Sequence, residues 1–195
     1  MTNEHESVET PNPESQEGRF AEGLQYPDPS LRDGSIALRR WEHGDLPLVE
    51  EASTDRLLLE GTTIPGEYNS RAGREFIERQ WSRHAEGTGL SLAITSDGDA
   101  VGCATLIVRR PSTADLGYWL VERARGGGTG GRAVQLLVEW ALRQPGIDAV
   151  EAFVADENVP SQKLLEHVGF ERHGRQRHQV NNLDEDLRVY RRGKA

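Results

Sequence analysis

Between Arg123 and Ala133 the chain reads RARGGGTGGRA, and five of the six positions from Gly126 to Gly131 are glycine. A glycine inside regular structure costs roughly 0.5–1 kcal/mol relative to alanine. A cluster of them is therefore kept only where backbones approach closely or adopt dihedrals closed to other residues. Upstream, DLGYWLV (115–121) reads as a strand. Downstream, Ala133, Leu136, Leu137, Trp140 and Ala141 fall at i, i+3, i+4, i+7 and i+8, one face of an amphipathic helix that QPG ends. A strand that runs through glycines into a helix is the arrangement that binds phosphate. Successive main-chain N–H groups point into the loop, the helix dipole adds partial positive charge, and the missing Cβ atoms let an anion come close.

The segments around this unit define a fold class. SIALRRW (35–41) alternates as a strand does, and Asp45 before LPLVEEA can cap a helix whose early Pro47 needs no donor. SRAGREFIERQWSRHAEG places Phe76, Ile77 and Trp81 at helical spacing. LSLAIT and VGCATLIV, joined by SDGD, predict a hairpin. After the glycine-led helix come a strand (AVEAFVA), a helix over 160–168, and a closing antiparallel pair, FERHGRQRHQV with LDEDLRVYR. This order predicts a mixed α/β sheet, and the 195-residue length suits one domain.

Residues 1–34 hold eight acidic against two basic side chains and four of the nine prolines. Such a segment buries too little to offset its ordering entropy, so it is expected to be a flexible acidic tail, with Phe20, Leu24 and Tyr26 able to dock locally, ahead of a domain over 35–195. A formal charge of -9 argues against a general attraction to nucleic acid or anionic membrane. The single cysteine, Cys103, cannot form an internal disulfide, and no Cys and His spacing suits a metal; His173 and His178 have no partners in pattern and read as solvated or packed. With no long apolar run and no basic, apolar leader, a cytoplasmic protein without membrane contact is expected. A homodimer is compatible with the sequence.

Three loop families compete for the glycines. A Walker A loop needs Gly-Lys-Ser/Thr, and GGRA supplies neither the lysine nor the hydroxyl. A Rossmann loop belongs to the first βαβ unit of a parallel sheet, whereas this one follows an antiparallel meander. RGGGTG (125–130) fits R/Q-x-x-G-x-G/A, the pyrophosphate motif of the GNAT superfamily of acetyl-CoA-dependent N-acetyltransferases. ADLGYWLVERARGGGTGGRAVQLLVEWAL resembles the strand, loop and helix of the ribosomal-protein (RimJ/RimL-like) branch, and NVPSQKLLEHVGF resembles its N-x-x-S-x-x-L-L-E-x-x-G-F segment. The resemblance covers about residues 35–192. It implies a GNAT fold: a mixed, mostly antiparallel sheet of about six to seven strands flanked by about four helices.

It also implies an activity, the transfer of acetyl from acetyl-CoA by direct attack of a primary amine, either a protein N-terminal α-amine or that of a small molecule. A non-catalytic acyl-CoA-binding domain on the same fold is the alternative. By the resemblance, the amides of Gly126, Gly127, Gly128, Thr129, Gly130 and Gly131 hold the pyrophosphate with Arg125 and Arg132, while Arg123, Arg132 and Lys163 are open for the ribose phosphate. The backbone of Trp119, Leu120 and Val121 pairs with the pantetheine arm as an added strand would. Asn158 orients that arm, or caps a helix. Ser161 stands near the coenzyme sulfur. Other branches carry a tyrosine acid seven residues after the Asn position; here that position is Leu165. Asp115, at the start of the central strand, is the leading base and Glu67 the reserve. Cys103, mid-strand between apolar neighbours, reads as structural.

Overall fold

Runs such as IALRR, GLSLAITS and DAVGCATLIVRR bury alternate or all side chains and form strands, whereas apolar residues at helical spacing form the helices between them. The computed structural model describes residues 23–180 and 183–194. The strands are β1 (Leu31–Asp33), β2 (Ile36–Arg40), β3 (Gly89–Ser96), β4 (Asp99–Arg110), β5 (Thr113–Leu120), β6 (Ala149–Val154), β7 (Glu171–Val180) and β8 (Leu183–Gly193). The helices are α1 (Leu46–Ala52), α2 (Arg56–Gly61), α3 (Ser70–Ala85), α4 (Thr129–Leu142) and α5 (Val159–His167).

All eight strands join one sheet in the order β1-β2-β3-β4-β5-β6-β8-β7. Every neighbouring pair is antiparallel except β5 and β6, which run parallel. A parallel step needs a crossover connection, and α4 supplies it. The core is continuous across the sheet. Trp41 and Phe76 are buried on the α3 face of the sheet, and Val134, Leu137 and Val138 of α4 are fully buried on the opposite face.

Successive β5 residues point to opposite faces. Trp119 packs toward Trp41 with centroids 6.3 Å apart, and Trp41 meets Phe76 of α3 edge-on, so odd-numbered β5 side chains face α1 and α3. Leu120 approaches Gly130 of α4 and Tyr118 meets Ser161 of α5, so even-numbered ones face α4 and α5.

The folded unit begins earlier than the tail boundary at residue 34 expects. Leu24 is buried, Tyr26 stacks on His84, β1 pairs with β2 in the register Leu31↔Leu38, and Asp33 accepts a hydrogen bond from Arg132. So few apolar residues cannot build a core, but they can complete one that exists, and a three-residue strand needs only an open sheet edge. The rest of the expected tail, with Phe20, lies outside the described residues. The sheet has one more strand than the six to seven expected and there is one more helix than four; β1 and α2 are the elements without a clear periodic signal.

Candidate active site

β5 and β6 pair only over Thr113–Asp115 and Ala149–Glu151. Beyond that β5 continues to Leu120 bonded to β4 alone, while β6 turns toward β8. The strands therefore part like a V. Between them opens a cavity of about 1160 Å³, lined on the β5 side by Leu116, Gly117, Tyr118 and Trp119 and on the other by Ala152–Asn158. Amides and carbonyls on this edge of β5 lack a strand partner, and an extended ligand arm can hydrogen-bond there as an added strand does. Of the backbone expected to do this, Trp119 lines the cavity. Leu120 and Val121 are not in its lining: Leu120 O accepts from Arg125 Nε at 2.9 Å and Val121 N donates to Val101 O at 3.0 Å.

The same strand then enters the glycines. Gly126 and Gly128 have φ of 80° and 81°, the left-handed region that side chains disfavour. A Cβ on Gly126, Gly127 or Gly128 would meet no atom of the described residues within 4 Å, so the bend is open among them. Gly130 serves closeness instead, since a Cβ there would lie 3.2 Å from Leu164 and 3.4 Å from Leu120. The first amide of the α4 ladder to find an acceptor is that of Arg132, bonded to Gly128 O at 3.1 Å. The amides before it are the orphan donors of a helix start, with no side-chain cap at Gly128. This cradle fits a diphosphate.

The cations around the loop are engaged. Arg125 binds Asp55, Arg123 binds Glu51 at 3.0 Å, and Arg132 binds Asp33. Each would have to exchange or share its carboxylate to meet a phosphate. Lys163 is exposed on α5. Asn158 does cap α5, its Oδ1 accepting from Ser161 N at 3.2 Å, and both residues line the cavity. Ser161 Oγ lies 2.8 Å from Tyr118 Oη. Burial raises the Tyr118 pKa above the ordinary phenol value, against the opposing effect of the Ser161 hydrogen bond. Tyr118 escaped the sequence reading because nothing local links a strand tyrosine to a helix serine 43 residues on; only the G-Y-W stretch itself marked the place.

The expected leading base stands apart from the cavity. Asp115 lies where β5 and β6 are still paired and is absent from the cavity lining. Arg110 holds it at 2.7 Å and Arg109 stands at 3.8 Å, while Arg110 also holds Glu151 at 2.8 Å and Arg191 takes the other Glu151 oxygen. A carboxylate between guanidiniums is a poor proton acceptor. Alternation placed Asp115 on the correct face but could not reveal the arginines across from it. Glu67 is exposed and also outside the lining. Carboxylates that do reach the cavity are Glu60, Asp156, Glu157, Glu185 and Asp186, with Arg83 and Arg175 as the cations. Arg175 already binds Asp156 and Asp186, and Arg56 binds Glu60 at 2.9 Å, so the acidity of the rim comes from Glu157 and Glu185. Cys103 touches the cavity but is 2% exposed; burial pushes its thiol up to about 11, so it is a neutral core group bonded to Ser91. His173 is exposed, and the His178 side chain lies outside the described residues.

Residues 35–171 match the family model of the acetyltransferase (GNAT) domain, well over half of the chain. The chain belongs to the GNAT acetyltransferase family. As a GNAT enzyme it is an acetyl-CoA-dependent N-acetyltransferase, with acetyl-CoA as cosubstrate. The uncharacterized N-acetyltransferase p20 of Bacillus licheniformis is 24% identical over 143 residues, which is 71% of this chain and 80% of that protein. Among solved structures, RimJ of Mycobacterium smegmatis in complex with CoA-disulfide superposes with a TM-score of 0.73 at 22% identity, covering 84% of this chain and 85% of that one. RimL, a ribosomal L7/L12 alpha-N-protein acetyltransferase in complex with coenzyme A, gives 0.72 at 19% identity, covering 84% and 97%. At these identities the structural likeness is one of fold. Among the described residues of this GNAT domain, no helix is long and apolar enough to cross a membrane.

Proposed function

We propose that this GNAT enzyme acetylates the α-amine of a peptide or protein N-terminus. The observation that carries the reading is the cavity at the parting of β5 and β6. Its lining brings the hydroxyls of Tyr118 and Ser161 together with the carboxylates of Glu157 and Glu185, with the exposed Leu57 and with Thr62 and Thr63. The glycine amides from Gly126 to Gly131 hold the coenzyme pyrophosphate, and the free edge of β5 from Leu116 to Trp119 takes the pantetheine arm. The acidic rim attracts the ammonium form of the acceptor.

Chemistry favours an α-amine. Deprotonation at pH 7 costs about 1.4 kcal/mol for a group of pKa about 8, and about 4.6 kcal/mol for lysine at about 10.4. With Asp115 clamped by arginine, the acceptor that asks least of a base fits best. RimL, on the same fold, is an alpha-N-protein acetyltransferase.

Thiol release from acetyl-CoA tests this. The assay compares peptides with free α-amines, the same peptides Nα-blocked but carrying an internal lysine, and a panel of small amines. Turnover is expected for the free peptides and lost on blocking. Turnover confined to lysine or to small amines would replace this reading.

A further inference from the structure

The two cations that line the cavity differ in what holds them. Arg175 is bound between Asp156 and Asp186. Arg83 of α3 is half-buried, and among the described residues it pairs with no carboxylate. We propose that Arg83 is a specificity residue that binds a carboxylate of the acceptor, so that the preferred substrates are peptide N-termini with an aspartate or glutamate among their first residues. The inference rests on the N-terminal acetylation reading above.

Arg83 is anchored through one nitrogen. Its Nη1 donates to Gln80 Oε1 at 2.5 Å and to Arg79 O at 3.3 Å. Gln80 is 2% exposed and is itself fixed: its Nε2 donates to Phe76 O at 2.9 Å, and its Oε1 also accepts from the Ser91 hydroxyl at 2.9 Å. The Nε and Nη2 of Arg83 donate to no described residue. These two nitrogens form the side of a guanidinium that meets both oxygens of a carboxylate at once. A charge with no partner also attracts an anion more strongly inside a cavity than on an open surface, because the surroundings screen it less.

The position suits the acceptor. Ser91 of β3 stands opposite Thr105 of β4, and Thr105 opposite Gly117 of β5, so these three share one face of the sheet, the face that carries α3. The glycine cradle opens α4, on the other face. A coenzyme held at α4 leaves the α3 side of the cavity to the acceptor, with Cys103, Thr105 and Gly117 from the sheet and Phe76, Gln80 and Arg83 from α3. Glu157 and Glu185 bring the opposite charge to the same cavity, so its lining matches a molecule that carries both an ammonium and a carboxylate. Arg83 also stands in the last turn of α3, where a cation stabilises the helix dipole. That role would take no account of the acceptor's charge, and this separates the two.

The test is steady-state thiol release with peptides that differ only in Glu or Gln at the second, third or fourth position, for wild type, Arg83→Gln and Arg83→Lys. Wild type should favour Glu over Gln at one of these positions by about tenfold or more in kcat/KM, carried by KM, as hydrogen bonds to a charged group in a partly buried site would give. R83Q should remove that difference by raising KM for the Glu peptide more than for its Gln counterpart. R83K, which keeps the charge but not the fork, should retain only part of it. Equal kcat/KM for Glu and Gln peptides in wild type overturns the proposal, as does a preference that survives in R83Q or a loss in R83Q that is equal for both. If R83Q does not fold, R83K decides, and an undiminished preference there overturns the proposal. A wild type that turns over only lysine or small amines overturns the N-terminal reading as well, whereas a wild type active on peptides without regard to their charge overturns this inference alone.

Discussion

Gly128 shows how one residue sets the site. At φ 81°, with no atom of the described residues within 4 Å of where a Cβ would lie, it has a backbone only glycine adopts freely, and space that no described residue fills. Gly128→Val is expected to cost about 1–2 kcal/mol for the left-handed conformation and to weaken coenzyme A binding by about tenfold or more, read by calorimetric titration. Unchanged affinity would remove the loop from the phosphate site. Glu151 makes a second case, of structure rather than catalysis. Burial works to raise its pKa, but Arg191 and Arg110 outweigh that and hold it below the ordinary carboxylate value. A folded pKa below the unfolded one gives stability that is present above the ordinary value of 4.5 and lost as pH falls through the lowered one. Thermal unfolding midpoints should therefore drop on acidification below about 4.5, and Glu151→Gln should flatten part of that drop. An identical acid slope in the variant would show that the pair contributes nothing.

Among the elements, α4 does two jobs: it starts at the glycine cradle and ties β5 to β6. Its Leu137 is fully buried, so Leu137→Ala should lose about 2–5 kcal/mol in denaturant unfolding; a loss under 1 kcal/mol would show that the helix face is not core. Elements of this kind were legible because period and length agree, as in the Ala133–Leu137–Ala141 stripe. β1 and α2 were not, since three and six residues give no period and their place depends on the edge of β2 and on Asp55, which caps α2 and also binds Arg125. The glycine loop, Asn158 and Ser161 were legible as motif. Tyr118 and the arginine clamp on Asp115 were not, because each depends on a partner brought in by the sheet; for Asp115 the partners follow an irregularity in β4 between Val108 and Arg110.

For the whole molecule, the parted strands and the open glycine bend lie along β5 and its exit, and the acidic rim comes from β8 and from the loop after β6. β5 carries its donor edge, its hydroxyl and its exit into the loop within the stretch from Leu116 to Gly131. The account's central claim is that this stretch receives acetyl-CoA. Amide hydrogen exchange with and without acetyl-CoA measures that most directly. The account predicts slowed exchange in peptides covering 116–131, with little change in β2, whose residues do not line the cavity. Binding of the coenzyme with exchange in 116–131 unaltered would contradict it.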